Sequence, residues 1–178
     1  MAEYRRHLPH FHPDGAHFFV TWRLDGLLPT QAPDVIYATP GHAFAAEDRA
    51  LAQCDRRLWL SDTRVARQVA DAIRNGESEK RFYELQAWVI MPNHVHVLLL
   101  PRVAPARITH WLKGKTAMEA NLLLGRTGAF WQHESYDHWV RNEREFNRIV
   151  AYIEENPVSA GLAAAVEDWP WSSATRAS

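Results

Sequence analysis

The stretch Trp88–Leu100 reads WVIMPNHVHVLLL and decides how the rest of the chain is interpreted. It places His94 and His96 two residues apart in one of the most apolar segments of the sequence. Because successive side chains of a β-strand point to opposite faces, both imidazoles are expected on the same side of a sheet. Two imidazoles side by side on a rigid strand suit a metal ion. An H-x-H pair alone is more often structural or incidental than metal-binding, so the stretch leaves both interpretations open.

The sequence around this stretch alternates between strand-like and helix-like segments. Met91-Pro92-Asn93 separates two apolar runs and is typical of a β-hairpin turn. Gly76 is expected to end the second helix, Asn142 with Glu145 fits a capping box, and Pro157 is expected to end the last helix near Asn156. Strands are predicted at residues 17–24, 81–90, 94–100 and in the second half of 130–140, and helices at 43–54, 62–73, 106–124 and 142–156.

This order of elements predicts an α+β fold. Apart from the helix at 43–54, it runs strand, helix, strand, strand, helix, strand, helix. That order is typical of a ferredoxin-like sandwich, with an antiparallel sheet and helices on one face. The C-terminal helix, which carries Tyr152, follows this unit. With no repeat or linker visible, residues 1–178 are expected to form a single domain, and other small α+β folds remain the alternative.

Composition limits the classes of function. The chain has 178 residues, 47% hydrophobic and 23% charged, which is ordinary globular usage. With 20 basic and 21 acidic residues its net charge is −1, so any DNA-binding surface must be local. Cys54 is the only cysteine, which excludes an intrachain disulfide and a cysteine-based zinc site. No apolar leader or membrane-spanning run is visible, so a cytoplasmic location without membrane contact is expected.

The last predicted helix offers partners for the histidines. Tyr152 and Asn156 are four residues apart, so they lie on neighbouring turns of one face. They flank the apolar stripe of Phe146, Val150 and Ile153. A metal held by two histidines needs at least one more protein ligand and positions left open for substrate. The alternatives are a boundary tyrosine with a buried ring and an asparagine that caps the helix.

Three strings carry a resemblance to a known family: AWVIMPNHVHVLLLP at 87–101, FWQHESYDHWVR at 130–141 and YIEENPVSAGL at 152–162. Together they resemble the REP-associated tyrosine transposases, which belong to the single-tyrosine HUH superfamily of DNA-nicking and rejoining enzymes. The sequence is also similar to that family near both ends. The resemblance implies the ferredoxin-like fold that the element order predicts.

The resemblance also implies roles for individual residues. His94 and His96 match the metal-binding histidines, Tyr152 the nucleophilic tyrosine and Asn156 the polar residue that supplies the third ligand. The implied cofactor is a divalent metal, Mg²⁺ or Mn²⁺, and Mn²⁺ is the better match to imidazole. The implied reaction is metal-dependent cleavage of single-stranded DNA and strand transfer through a 5′-phosphotyrosine. The implied substrate is hairpin DNA of the repetitive extragenic palindrome kind.

Several basic residues are candidate DNA contacts, with a solvated surface as the alternative: Lys113, Lys115, Arg141, Arg5 and Arg6. One rival function is a domesticated protein that binds hairpin DNA without cleaving it. Another is an unrelated hydrolase of the amidohydrolase kind, but a (β/α)₈ barrel needs about 250 residues and repeated βα units. A monomer with the tyrosine acting in cis and a homodimer with it acting in trans both remain open.

Overall fold

The computed structural model describes residues 15–27, 46, 48–51, 54 and 57–175. Residues 48–51 are helical, and short 3₁₀ helices occur at Trp59–Ser61 and Val166–Asp168. None of the helices in this described part is long and apolar enough to cross a membrane. The strands are β1 (Phe18–Arg23), β2 (Tyr83–Ile90), β3 (His94–Pro101) and β4 (Tyr136–Trp139), and the longer helices are α1 (Thr63–Ser78), α2 (Pro105–Leu123) and α3 (Glu143–Ser159).

The four strands form one antiparallel sheet in the order β2-β3-β1-β4. With its two crossover helices this is the ferredoxin-like topology, so the predicted fold class is confirmed. The β2–β3 hairpin turns at residues 91–93, as expected. In the central pair, Thr21 of β1 lies opposite His96 and Arg23 lies opposite His94.

The two faces of the sheet have different partners. Val95, Val97 and Leu99 are fully buried and belong to the larger core, which also contains the apolar residues of α1 and α2. His94, His96 and Leu98 alternate with them and face the other side. There α3 covers the sheet, with its apolar residues packed in the second core. Strand periodicity therefore presents both histidines to the helix that carries Tyr152.

The helix caps follow the sequence closely. The Asp62 side chain accepts the Arg64 N–H at 2.9 Å at the start of α1. The Asn142 side chain accepts the Glu145 N–H at 2.9 Å at the start of α3. The second half of the predicted capping box differs, because the Glu145 carboxylate accepts the Arg141 N–H at 2.8 Å. The Asn142 side chain thus satisfies one of the backbone N–H groups at the start of α3 that have no partner within the helix.

Two predicted helix ends are wrong. Helix α1 continues past Gly76 to Ser78. The glycine makes room for a neighbouring side chain, because a Cβ there would overlap the Tyr83 hydroxyl. Helix α3 continues through Pro157 to Ser159. A proline in the last turn removes one helical N–H donor, and the turn is closed beyond it by Leu162 N–H donating to the Pro157 carbonyl at 2.8 Å.

The C-terminal segment fastens α3 to the sheet edge. Its backbone pairs with β2, since the Ile90 N–H donates to the Trp171 carbonyl at 2.8 Å and the Ser173 N–H donates to the Trp88 carbonyl at 2.9 Å. The Ser173 hydroxyl then donates to Glu154 of α3 at 3.3 Å. This pairing covers part of the β2 edge and holds α3 beside it.

Candidate metal and tyrosine site

His94 and His96 are completely buried at the start of β3, and their ring centroids are 4.8 Å apart. Each ring has a partner on its Nδ1 atom: the Asn93 Oδ1 lies 2.6 Å from His94, and the Thr21 Oγ1 lies 2.6 Å from His96. An amide oxygen can only accept, so the His94 Nδ1 carries the proton and its Nε2 carries a lone pair. This is how proteins orient histidines that bind metals.

Helix α3 brings Tyr152 and Asn156 to the histidines, although nearly sixty residues separate the two motifs. The Tyr152 ring lies 5.5 Å from that of His96, and the Asn156 Nδ2 is 3.4 Å from the His96 Nε2. Buried apolar side chains of α3, among them Ile153, fix this position against Phe19 and its neighbours on the sheet. All four residues predicted for the site therefore lie together in one chain.

Asp48 is a fifth member of the site, and the sequence analysis missed it. Its side chain is 6% exposed, and its Oδ1 lies 3.2 Å from the Nε2 atoms of both His94 and His96. Its Oδ2 accepts hydrogen bonds from the Tyr152 hydroxyl and, at 3.0 Å, from the Asn156 Nδ2. The one signal in the sequence is weak: Asp48 shares a helix face with the buried Leu51, three residues on.

The protonation states of Asp48, His94 and Tyr152 depend on burial and on one another. Burial alone would raise the pKa of Asp48, but the nearby His96 and His94 rings outweigh that effect and the net shift is downward. Burial lowers the pKa of His94. Burial, and then the charge of Asp48, raises the pKa of the Tyr152 phenol. The favoured state is thus an ionised carboxylate beside a neutral imidazole and a protonated phenol.

The donor set fits a divalent cation. Asp48 Oδ1 and His94 Nε2 are buried, face each other at 3.2 Å, and have no hydrogen-bond partner among the described residues. The lone pairs of the Asp48 Oδ1 and the His94 Nε2 repel each other at 3.2 Å unless a cation lies between the two atoms. Ligands at right angles around an ion at about 2.1 Å lie about 3.0 Å apart, close to the observed separation. The ligand atoms of Asp48, His94 and His96 all lie within 4.8 Å of one another.

The two candidate lysines of α2 are engaged within the protein. The half-buried Lys113 ammonium donates to the carbonyls of Gln132 at 2.6 Å and His133 at 2.8 Å. Burial lowers its pKa to about 8. Lys115 forms an ion pair with Glu119 one turn further along the helix. A DNA phosphate would compete with these contacts.

The candidate arginines lie outside α2. Arg141 precedes α3 with its side chain 73% exposed, and its guanidinium donates to Glu145 at 2.9 Å. Hydrogen bonding to that carboxylate raises the pKa of Arg141. Arg5 and Arg6 lie outside the described residues. The structure therefore offers an exposed basic side chain at the start of the tyrosine helix.

Two named relatives match the sequence over about half their length. A REP-associated tyrosine transposase of Escherichia coli K12 is 32% identical over 93 residues, which are 52% of this chain and 54% of that protein. A Haemophilus influenzae relative is 31% identical over 103 residues, 51% of this chain and 58% of its own length. The resemblance recognised in the sequence is thereby confirmed.

The fold has a counterpart among solved structures. A REP-associated tyrosine transposase bound to a REP hairpin matches with a TM-score of 0.60 and 23% identity, covering 97% of this chain and 82% of that one.

A family model described as IS200-like transposase matches residues 50–156. That range contains His94, His96, Tyr152 and Asn156 and begins two residues after Asp48. Because the match covers more than half of the chain, this protein belongs to the IS200-like transposase family.

Proposed function

We propose that this chain is a metal-dependent enzyme that cleaves single-stranded DNA and transfers strands through Tyr152. The proposed substrate is hairpin DNA of the repetitive extragenic palindrome kind, and the family and the hairpin-bound counterpart support it. The observation that carries the proposal is the position of the phenol. Tyr152 packs against His96, one of the two buried histidines, within its own chain, so no second chain is needed to bring the phenol to the site.

In its simplest form the proposal takes His94, His96 and Asn156 as the metal ligands, as the resemblance implies. A bound Mg²⁺ or Mn²⁺ would polarise the scissile phosphate and supply several kcal/mol of charge stabilisation. The histidines contribute neutral nitrogen ligands, and their buried Nδ1 contacts with Asn93 and Thr21 hold the rings in place.

The phenol of Tyr152 is the proposed nucleophile. Its oxygen attacks the scissile phosphorus, the bond from phosphorus to the 3′ oxygen breaks, and the phenol proton ends on that departing oxygen. The products are a 5′-phosphotyrosine and a free 3′-hydroxyl. In the free protein the Asp48 Oδ2 accepts the phenol hydrogen, so the proton is held at a defined atom beside the nucleophile.

The same ester allows strands to be rejoined. A second 3′-hydroxyl attacks the phosphotyrosine, the bond between phosphorus and the phenol oxygen breaks, and Tyr152 recovers its proton. Because the ester conserves the bond energy, the exchange needs neither ATP nor a hydrolytic water. Lys113, Lys115, Arg141, Arg5 and Arg6 are the proposed DNA contacts, and the net charge of −1 requires that they act locally.

A covalent adduct tests this proposal. The protein is incubated with Mn²⁺ and single-stranded hairpin oligonucleotides, then separated on a denaturing gel. Wild type and Tyr136→Phe should form a protein–DNA adduct, because Tyr136 is a matched tyrosine outside the proposed chemistry. Tyr152→Phe should form none, and His94→Ala should bind the hairpin without forming it.

Two results would refute the mechanism: no adduct with wild type, or an adduct that persists in Tyr152→Phe. Hairpin binding without any adduct would instead support the binding-only alternative. Loss of folding in His94→Ala, detected by circular dichroism, would indicate that the histidine pair is structural.

A further inference from the structure

We propose that Asp48 supplies the third protein ligand of the metal and that Asn156 positions Asp48 rather than binding the ion. This inference rests on the proposed metal dependence. It changes the ligand set from two histidines and an amide to two histidines and a carboxylate, which is a common arrangement for divalent metals.

The hydrogen-bond pattern favours the carboxylate. The Asn156 Nδ2 is 3.0 Å from the Asp48 Oδ2 and 3.4 Å from the His96 Nε2. Amide orientation is assigned from such contacts. Rotating the amide would set its oxygen against the carboxylate oxygen, and two acceptors at that distance repel. With Asp48 in place, the amide oxygen is therefore directed away from the histidines.

The Oδ1 atom of Asp48 is left for the cation. It is buried, is 3.2 Å from both Nε2 atoms, and has no hydrogen-bond donor among residues 15–27, 46, 48–51, 54 and 57–175. A buried carboxylate oxygen without a donor is costly unless a positive charge neutralises it. Arg23 is close enough to lower the pKa of His94, but its guanidinium donates to Gln132.

The segment that carries Asp48 is fixed to the histidine hairpin. The Asn93 Nδ2 donates to the carbonyl of Leu51 at 2.8 Å, while its Oδ1 lies 2.6 Å from the His94 Nδ1. One buried asparagine therefore holds a histidine ring and the helical turn that follows Asp48. A carboxylate held in this way is preorganised for a ligand.

The second carboxylate oxygen connects the metal to the nucleophile. Asp48 Oδ2 accepts the Tyr152 hydroxyl, while Oδ1 faces the histidines. One side chain thus fixes the distance between the ion and the phenol oxygen. Asp48 is in this respect a positioning residue for Tyr152 as well as a ligand.

Asp48→Asn separates this role from a structural one. The substituted amide can accept from Tyr152 with its oxygen and donate its two N–H bonds to the histidine Nε2 atoms, each 3.2 Å from the present Oδ1. The variant therefore satisfies the site without a metal. We expect the metal-free variant to melt at the same temperature as metal-free wild type or higher.

Mn²⁺ binding is measured by calorimetry and by the loss of the free-ion electron paramagnetic resonance signal. Asp48→Asn should bind Mn²⁺ at least about 100-fold more weakly, because loss of a direct ligand should cost no less than the 10- to 100-fold lost with a residue that orients a ligand. Asn156→Ala should lose about 10-fold or less, as expected of a residue that orients a ligand. Asp71→Asn, which alters an exposed carboxylate of α1, should bind as wild type does. Mn²⁺ should raise the melting temperature of wild type but not that of Asp48→Asn.

Three outcomes would overturn the assignment: wild-type affinity in Asp48→Asn, a larger loss in Asn156→Ala than in Asp48→Asn, or unfolding of metal-free Asp48→Asn, which would make the carboxylate structural. These outcomes are distinct from failure of the proposed function. If wild type binds no Mn²⁺ and His94→Ala is indistinguishable from it, metal dependence itself is refuted.

Discussion

Replacing Thr21 by valine removes the hydroxyl that contacts His96 and leaves the shape of the side chain almost unchanged. Thr21 is 6% exposed on β1, directly opposite His96, and its Oγ1 lies 2.6 Å from the His96 Nδ1. Valine has nearly the same shape and is equally compatible with a strand. The substitution therefore tests the hydroxyl while leaving the sheet intact.

The expected magnitudes follow from the geometry. Metal binding through the His96 Nε2 requires the ring proton on Nδ1, where it is donated to the Thr21 hydroxyl. Valine then leaves that buried donor without a partner, at a cost of about 1–3 kcal/mol. His96 can reduce that cost by moving its proton to Nε2, because the Asp48 Oδ1 lies 3.2 Å away and can accept it. The loss of unfolding free energy should thus be near the low end, about 1 kcal/mol. The same tautomer blocks the ligand atom, so the Mn²⁺ affinity should fall by about 10- to 100-fold.

Two measurements and a control check this reasoning. Urea unfolding gives the stability and titration calorimetry gives the Mn²⁺ affinity, while ¹⁵N chemical shifts of the histidine rings report the tautomer. Thr109→Val is the matched control, since that hydroxyl only contacts carbonyls of its own helix, at 3.2 Å. If Thr21→Val bound Mn²⁺ like wild type with His96 still protonated at Nδ1, the hydroxyl would have no role in preparing the ligand.

Three further predictions concern charged side chains outside the histidine cluster. Hydrogen bonding to Arg141 lowers the pKa of Glu145 to about 2, so its contribution to stability is full above the ordinary value of 4.5 and is lost as the pH falls toward 2. Urea midpoints of wild type should accordingly fall more steeply than those of Glu145→Gln over that range, and equal slopes would contradict the assignment. Lys115→Gln should reduce the salt dependence of hairpin binding by about one unit of slope. Lys113→Gln should in addition lower the unfolding free energy by about 0.5–1.5 kcal/mol, because the carbonyls of residues 132 and 133 lose a half-buried donor. An unchanged unfolding free energy in Lys113→Gln, or an unchanged slope in Lys115→Gln, would contradict these roles.

Local patterns predicted most of the fold. The β2–β3 hairpin, the caps at Asp62 and Asn142, and the buried face of β3 follow from turn residues, capping side chains and the two-residue period of a strand. The end of α1 was mispredicted because glycine was interpreted by its propensity alone. Gly76 instead makes room for the Tyr83 side chain of β2, a contact between different elements that helix propensity does not report.

The candidate site was predictable where spacing carries the information. A spacing of two residues on a strand places His94 and His96 on the same face, and a spacing of four residues on a helix places Tyr152 and Asn156 on the same face. Asp48 has neither signal. It lies in a part of the chain without a diagnostic pattern, and only the tertiary packing of residues 48–51 brings its carboxylate to the histidines.

The turn before the histidines does more than reverse the chain. The backbone carbonyl of Asn93 accepts the Leu24 N–H at 2.9 Å, which joins the turn to the end of β1. Its side chain must accept from the His94 Nδ1 and donate to the Leu51 carbonyl at the same time. Aspartate could accept but could not donate, and serine is too short to reach both groups. An amide is therefore the chemistry this position requires, and it couples the orientation of the His94 ring to the placement of Asp48. The tautomer of His94, a proposed metal ligand, and the position of the carboxylate opposite it are set by one residue.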